Sequence, residues 1–346
     1  MEKMKFALKC LLIGIIALAL NWCVVDDVHS YTRLMLHEMH GHDDIDTLIV
    51  GGSEVFKAYD PKVLSRATGD RFFNAGSASQ QMGGSLAMIK EAERTNHLKT
   101  VMLDVDFPRN QSGEDGALQT YLLTDYMSAS SNKYEYLWKS QGVTGLENDL
   151  LPALHRSGDP LELIPDKLSS PYRNWKYDYV TYDREAYKGD GFVYSNGHAD
   201  HNVMYEVEED IEPGHIMSDY AMAQLKEITK YCKANDIQLI LVETPYPDAT
   251  LFKENYQSYI DGVRSFAEKN GLQYWNFNLL KKGYITFGYD DYLDAVHLNG
   301  RGAERFSGTV ATVYNGFKYG VTKSDDVFYN SYADKIRYNA DETMRQ

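Results

Sequence analysis

Three residues that could together activate a hydroxyl group stand at two distant places in the chain. Ser53 follows a short apolar run and the pair Gly51-Gly52, and Asp294 and His297 stand close together in DDYLDAVHLNGRG. A serine hydroxyl is a weak nucleophile until a base removes its proton, and that base is oriented by a carboxylate. The residue types therefore predict acyl transfer, with Ser53 as nucleophile, His297 as base and Asp294 as the orienting group.

Each of these motifs also has a simpler interpretation. A glycine pair followed by serine is a common strand-to-helix turn in which the serine only caps the helix. The acidic loop before His297 could cap the next helix or form a calcium-like cluster, and Asp290 and Asp291 offer alternative carboxylates. The catalytic interpretation is favoured because both motifs are expected at the same edge of one sheet.

An acyl-transfer site also needs donors for the negative charge that develops on the carbonyl oxygen. The backbone N–H of Ser53, at the start of a helix, is one predicted donor. Gly76 ends the next apolar run in FNAGSASQ, and its N–H is the second. Gly76 could equally serve only to permit a tight turn.

Strands and helices alternate over most of the chain, and the strands are nearly continuous apolar runs. This pattern predicts a parallel sheet covered on both faces by helices, with ligands bound at its carboxyl edge. The predicted strands are Asp46–Val50, Arg71–Ala75, Thr100–Asp106, Ile237–Val242 and Leu272–Phe277. The predicted helices between and after them include Ser77–Asn96, Ser218–Asn235, Leu251–Asn270 and Gly302–Val313.

The domain organisation follows from breaks in this rhythm. Residues 46–314 are predicted to form the α/β domain, with an insertion at about 131–215 that is rich in Tyr, Asp and Gly. The insertion is expected over the active-site edge, where its aromatic side chains would stack on sugar rings or fill a small core. Residues 315–346 are predicted to be a polar C-terminal extension.

The N-terminal segment predicts the compartment. Phe6–Val25 is apolar except for Lys9, and twenty residues can just cross a hydrocarbon core of about 30 Å. Lys3 and Lys5 precede it, which predicts an N-terminus inside and a body outside. No A-x-A pattern precedes a cleavage point, so residues 1–25 are predicted to be an uncleaved anchor. Residues 26–45 follow as a stalk or lead-in helix.

Composition excludes some functions. The net charge of −15 disfavours binding to nucleic acid, which needs clustered basic residues. Three cysteines, two of them at the N-terminal segment, give no disulfide framework for the body. His37, His40 and His42 stand close together, but nothing near them completes a metal site, so they are predicted to be solvated and no metal is expected.

The order of these motifs resembles that of the SGNH (GDSL-like) hydrolase superfamily. Ser53 in IVGGSEV matches its first block, Gly76 in NAGSAS its second, and Asp294-Ala295-Val296-His297 its last D-x-x-H block. The third block of the superfamily carries an asparagine that donates to the oxyanion. Here the corresponding strand runs VMLDVDFPRNQ, and Asp104, Asp106 or Asn110 would occupy that place.

The resemblance implies a flavodoxin-like three-layer α/β/α fold, and it looks closest to the membrane-anchored extracytoplasmic branch. That branch includes proteins of teichoic-acid D-alanyl transfer and of polysaccharide O-acetylation. It implies an esterase or acyltransferase acting on O-acyl groups of a cell-surface glycan, with no cofactor and with a multi-span acyl-donor partner if it is a transferase. The alternative is a non-catalytic glycan-assembly or scaffold protein, which the missing third-block asparagine favours. A surface-binding module built on the Tyr-rich insertion is a third possibility.

Overall fold

The computed structural model describes residues 2–105, 115–176, 180–182, 185–199, 217–247 and 256–343. Two of the three candidates for the third block, Asp106 and Asn110, lie outside these residues. Of that block, therefore, the structure places Asp104 alone.

A five-stranded parallel sheet forms the centre of the molecule, as predicted. Its order is β2-β1-β3-β7-β8, and each neighbouring pair is parallel. The strands of the chain are β1 Thr47–Val50, β2 Phe72–Asn74, β3 Thr100–Asp104, β4 Val180–Tyr182, β5 Glu185–Gly189, β6 Phe192–Ser195, β7 Gln238–Glu243 and β8 Gln273–Asn276. Counting only its own strands, the sheet has the flavodoxin-like order 2-1-3-4-5, in which the chain reverses direction beside the first strand.

The described chain also contains fourteen α-helices, several of which connect the strands of this sheet and cover it. They are α1 Glu2–Val24, α2 Tyr31–His40, α3 Ser53–Ala58, α4 Pro61–Thr68, α5 Met82–Ala92, α6 Ala117–Thr124, α7 Ser131–Leu150, α8 Pro160–Leu168, α9 Ser170–Arg173, α10 Asp219–Ala234, α11 Tyr256–Asn270, α12 Gly300–Lys318, α13 Ser324–Val327 and α14 Tyr332–Thr343. The strand residues of β1, β2 and β3 are all buried, which is expected for strands covered on both faces.

Residues 26–45 contain a shorter helix than expected, and it packs on the body instead of standing free as a stalk. Ser30 caps α2 by accepting a hydrogen bond from the N–H of Arg33 at 3.3 Å. Leu34, Met35 and Leu36 are 4%, 1% and 0% exposed and belong to the main core. The lead-in helix therefore fixes the direction in which the chain approaches the sheet.

The insertion between β3 and β7 has two described parts. Helices α6 to α9 form the first, and an antiparallel sheet of order β4-β5-β6 forms the second. The C-terminal region also differs from a simple polar extension, because α12 continues to Lys318 and Val327 and Phe328 are buried in the core.

Glu2–Val24 is the one helix of the described chain that is long and apolar enough to cross a membrane, and none of its apolar window is buried in the protein. A membrane anchor and a signal sequence share these properties. Apolar side chains such as Phe6, Leu8 and Ile13 are between 67% and 71% exposed, so the rest of the protein does not cover them.

Candidate active site

The turn after β1 places Ser53 at the carboxyl edge of the sheet. Val50 ends the buried strand, and Ser53 is the first residue of α3, with Gly52 as its N-cap. A Cβ on Gly51 would lie 2.5 Å from Val55 Cγ2 and 2.7 Å from Asp104 Cβ, so a side chain does not fit there. The glycine pair thus lets the strand turn directly into the helix, next to the point where the sheet order reverses.

Asp294 and His297 lie on a closed loop that returns to the same edge. Tyr292 and Leu298 form an isolated antiparallel bridge, and the N–H of Leu293 donates to the carbonyl of His297 at 2.8 Å. Asp294 Oδ1 accepts hydrogen bonds from the N–H groups of Val296 and His297, both at 2.9 Å. The aspartate therefore shapes the turn that presents the histidine.

Asn299 fixes this loop from below, a role that the sequence analysis missed. Its buried amide Nδ2 donates to the carbonyls of Asp290, Tyr292 and Gly197 at 2.8, 3.2 and 3.1 Å, and its Oδ1 accepts from the N–H of Gly302 at 3.0 Å. Gly197 belongs to the segment between β3 and β7, which therefore contacts the base of the histidine loop through Asn299. The available signal was an asparagine two residues after the D-x-x-H motif, at the N-cap of α12.

The three predicted residues form one continuous chain of contacts. His297 Nε2 lies 2.8 Å from Ser53 Oγ, and His297 Nδ1 lies 2.8 Å from Asp294 Oδ2. The side chain of His297 is 15% exposed and that of Asp294 is 43% exposed, so the site opens to solvent on the aspartate side. This is the geometry of a nucleophile, its base and the group that orients the base.

Asp294 is ionised throughout the neutral range. Partial burial alone would raise the pKa of its carboxyl, but the hydrogen bond and charge of His297 and the two backbone N–H groups outweigh it and lower the pKa to about 2. An ionised carboxylate accepts the Nδ1–H of the imidazole, which leaves the lone pair of Nε2 facing Ser53. The tautomer needed for base catalysis is therefore the one that Asp294 favours.

Glu54 brings a second carboxylate to the nucleophile, which the sequence analysis did not anticipate as a contact. Its Oε1 lies 3.3 Å from Ser53 Oγ and 3.9 Å from His297 Nε2, and its side chain is 12% exposed. The single hydroxyl proton of Ser53 can be donated to His297 or to Glu54, but not to both. The shorter distance favours His297.

The two predicted oxyanion donors are placed differently. The N–H of Ser53 is at the first position of α3, where no partner exists within the helix. The N–H of Gly76 donates to Asn74 Oδ1 at 3.1 Å, so in this structure it is engaged with that side chain. Asn74 Nδ2 in turn donates to the carbonyls of Val55 and Tyr59, which ties α3 to β2. An oxyanion role for Gly76 requires its present bond to be exchanged.

Asp104 ends β3 directly beside the glycine turn. It is 2% exposed, and its Oδ1 accepts from the N–H of Thr244 at 3.4 Å. A Cβ on Gly51 would meet both its Cβ and its Oδ2. Asp104 is the one candidate for the predicted third block that the structure describes, and a carboxyl group donates to an oxyanion only when it is protonated.

The three neighbouring histidines are less solvated than expected. His37 stacks on Trp175 at 3.7 Å between ring centroids, and His40 Nε2 lies 2.9 Å from Glu91 Oε1. His42, Glu38 and Asp190 bring ligand-type atoms within 4.8 Å of one another. The guanidinium of Arg71 is already there, 2.7 Å from Asp190 Oδ1 and 3.2 Å from His42 Nε2, and supplies positive charge to this cluster.

Comparison with known proteins gives likenesses of structure alone. No protein-family model and no curated protein matches the chain. A proposed acylhydrolase from Bacteroides fragilis has 9% sequence identity and a TM-score of 0.36, over 81% of this chain and 94% of that one. A GDSL-like lipase from Bacteroides thetaiotaomicron has 10% identity and a TM-score of 0.36, over 82% and 97%. An acetyl xylan esterase from the rumen bacterium Butyrivibrio proteoclasticus has 6% identity and a TM-score of 0.34, over 81% and 66%. Similarity at this level does not show the activity of this chain.

Proposed function

We propose that this protein is an SGNH-type serine esterase or acyltransferase that is anchored in a membrane and acts outside the cytoplasm. Its substrate is an O-acyl group, with O-acetyl as the first choice, on a cell-surface glycan. The observation that carries the proposal is the hydrogen-bonded chain from Ser53 through His297 to Asp294, with contacts of 2.8 Å on both sides of the imidazole.

The proposed reaction has two acyl transfers. His297 Nε2 takes the hydroxyl proton as Ser53 Oγ attacks the ester carbonyl, and Asp294 stabilises the imidazolium that forms. The N–H of Ser53 donates to the oxyanion, the imidazolium returns the proton to the leaving alcohol, and the acyl group stays on Ser53. In the second half, His297 takes a proton from water or a sugar hydroxyl, whose oxygen attacks the acyl carbonyl. The bond between that carbonyl carbon and Ser53 Oγ then breaks, the imidazolium returns the proton to Ser53 Oγ, and the free acid or the acylated sugar leaves.

The oxyanion donors support slow turnover. The proposed oxyanion donor that is left is the N–H of Ser53, at the first position of α3, because the N–H of Gly76 is engaged with Asn74. Loss of a single oxyanion donor typically lowers kcat by about 10²–10³-fold. A long-lived acyl-serine suits a transferase, because the acyl group must wait for a glycan hydroxyl. A transferase on the outer face also needs an acyl donor that crosses the membrane, and a multi-span partner would supply it.

A pair of proteins tests the proposal, the full chain in detergent or nanodiscs and its Ser53→Ala variant. Both are incubated with p-nitrophenyl acetate, and intact mass and acetate release are followed. A gain of one acetyl group in the wild type and not in the variant supports the proposal. Equal reaction in both proteins means that another group reacts. Discharge of the acyl-serine by an oligosaccharide faster than by water identifies a transferase.

Asp104 favours a second candidate function, that of a non-catalytic glycan-assembly protein built on a hydrolase fold that has lost its activity. An ionised carboxyl group at this place, beside the turn that carries Ser53, would oppose an oxyanion. This candidate predicts no acylation of Ser53 in well-folded protein, together with glycan affinity that is unchanged in Ser53→Ala. The same two proteins therefore separate the candidates.

A further inference from the structure

The C-terminal end of the apolar helix is joined to the body by a dense set of contacts. The N–H of Gly158 donates to the carbonyl of Val24 at 2.8 Å, and Val25 forms a bridge with Ser157. The N–H of Ala153 donates to Asn21 Oδ1 at 3.0 Å. Residues 152–168 are therefore joined to the end of α1 by hydrogen bonds at several points.

A buried lysine reinforces the same joint. Lys167 on α8 has a side chain that is 1% exposed, and its Nζ donates to the carbonyl of Trp22 at 2.6 Å. It also lies 3.1 Å from Asp27 Oδ1 and 5.3 Å from the centre of the Trp22 ring. An ammonium group that is buried and paired in this way holds α8 against the last turn of α1 in one arrangement.

Helix α8 carries an apolar stripe on the side that faces away from the body. Leu161 is 82% exposed and Leu168 is 56% exposed, while Leu163 and Lys167 are buried. At 100° per residue, Leu161, Ile164, Pro165 and Leu168 fall within an arc of about 100°, away from the buried pair. Glu162 and Asp166 lie together on a third side. A soluble helix normally buries its apolar stripe and exposes its polar one, and α8 does not.

A second exposed leucine lies on the neighbouring turn. The short helix Pro152–Leu154 contacts α1, and Leu154 is 65% exposed. We define the apolar face as Leu154, Leu161, Ile164, Pro165 and Leu168. Each of its residues belongs to an element that touches the last turn of α1, so the face lies where that helix would leave a bilayer.

We propose that the apolar face lies on the outer surface of the membrane that α1 spans, so that α8 is an in-plane interfacial helix. This inference rests on the proposed membrane anchor. An amphipathic helix that lies in the plane of a membrane buries its apolar face at the boundary between headgroups and acyl chains. Trp22, 41% exposed at the end of α1, has the side chain that is enriched at this depth.

The charges beside the apolar face indicate that it contacts the acyl chains of the lipid and not the charged headgroups. The flank of the apolar face carries Glu162 and Asp166, and the one lysine of the helix is buried against α1. Acidic flanks repel anionic headgroups, so the attachment is apolar and should be insensitive to salt. With α1 and α8 both attached, the body has a fixed orientation on the membrane instead of rotating about a tether.

Depth-dependent quenching tests this directly with the full chain in phosphatidylcholine vesicles. Cys10 and Cys23 are replaced by serine, and Cys232 remains because it is 1% exposed. A bimane label is then placed on Leu161→Cys or, as the matched control one residue along the same helix, on Glu162→Cys. A third protein keeps Cys10 as its labelled site and reports whether α1 is in the bilayer. Vesicles contain lipid brominated near the headgroup end of its acyl chains.

The proposal predicts quenching of the Leu161→Cys label by at least about twofold more than the Glu162→Cys label, unchanged in high salt. Quenching at Cys10 with no difference between Leu161→Cys and Glu162→Cys refutes the docked face and leaves the anchor standing. No quenching at any of the three sites refutes both. Disulfide cross-linking of Leu161→Cys between two copies, without quenching, identifies a second chain as the occupant and also overturns the proposal.

Discussion

Replacement of Asp294 by asparagine gives the sharpest test of the hydrogen-bonded site. The change removes one negative charge that lies 2.8 Å from His297 Nδ1, and it preserves an oxygen that can still accept from the N–H groups of Val296 and His297. The turn should therefore persist while the support for the imidazolium is lost. That separation makes the variant more informative than a truncation to alanine.

The magnitude follows from the distance and the exposure. Asp294 is 43% exposed, which calls for an effective dielectric constant of about 40, so that at 2.8 Å the charge contributes about 3 kcal/mol to the imidazolium. That energy corresponds to a rate loss on the order of a hundredfold. An asparagine amide that donates to Nδ1 moves the proton to Nε2, and this wrong tautomer increases the loss further.

The assay is single-turnover acylation of Ser53 by p-nitrophenyl acetate, read as the burst of nitrophenolate. Asp290→Asn is the matched control, because Asp290 is an exposed carboxylate in the same loop and the change in charge is identical. The expected result is a loss of about a hundredfold or more for Asp294→Asn and a near-normal rate for Asp290→Asn. A rate for Asp294→Asn within threefold of the wild type would refute the assignment of Asp294.

Three further predictions concern the same elements. Asp294 has a folded pKa of about 2, below its ordinary value of 3.8, so its ionisation stabilises the fold above about pH 4, and this contribution is lost as pH falls toward 2. The difference in stability between wild type and Asp294→Asn, measured by denaturant titration, should therefore shrink over that range. A difference that grows on acidification would contradict this prediction. Gly51→Ala should abolish acylation and lower the melting temperature, because its Cβ would lie 2.7 Å from Asp104 Cβ. Gly308→Ala is the control, because no atom lies within 4 Å of its Cβ in the middle of α12, and it should be neutral or stabilising by up to about 1 kcal/mol. Equal behaviour of the two variants would show that the turn after β1 adapts to a side chain. Asn299→Ala should lower the free energy of unfolding, measured in urea, by about 2–4 kcal/mol, because it leaves the carbonyls under the histidine loop without their donor. Asn235→Ala, at an exposed asparagine, should lower it by less than about 0.5 kcal/mol. A small effect at Asn299 would mean that other contacts hold the loop.

The strands of the sheet could be predicted because burial on both faces leaves a strong signal. Every predicted strand overlaps an observed one, although the third ends at Asp104 instead of Asp106 within the described residues. The meeting of Ser53 and His297, 244 residues apart, was also predictable, since both follow strands whose carboxyl ends share one edge. Position in a parallel sheet converts sequence order into proximity.

Other features needed coordinates because they depend on packing between distant segments. The buried face of α2 differs little in composition from that of a free amphipathic stalk, and only its contact with the sheet distinguishes the two. The N–H of Gly76 could donate to Asn74 Oδ1 or to the oxyanion of a bound substrate, and the sequence does not show which acceptor it meets. The exposure of the leucines of α8 could not be predicted, because apolar residues at helical spacing normally predict burial.

Covalent labelling by a fluorophosphonate tests the central claim most directly, because this reagent phosphonylates only a serine that is activated by a base. Wild type, Ser53→Ala, His297→Ala and Ser79→Ala are treated and mapped by peptide mass spectrometry. Ser79 is an exposed serine in the loop after β2 and serves as control. The predicted result is one adduct, on Ser53, that persists in Ser79→Ala and disappears in Ser53→Ala and His297→Ala. Absence of an adduct on Ser53 in folded wild-type protein, or an adduct that survives loss of His297, would contradict the account.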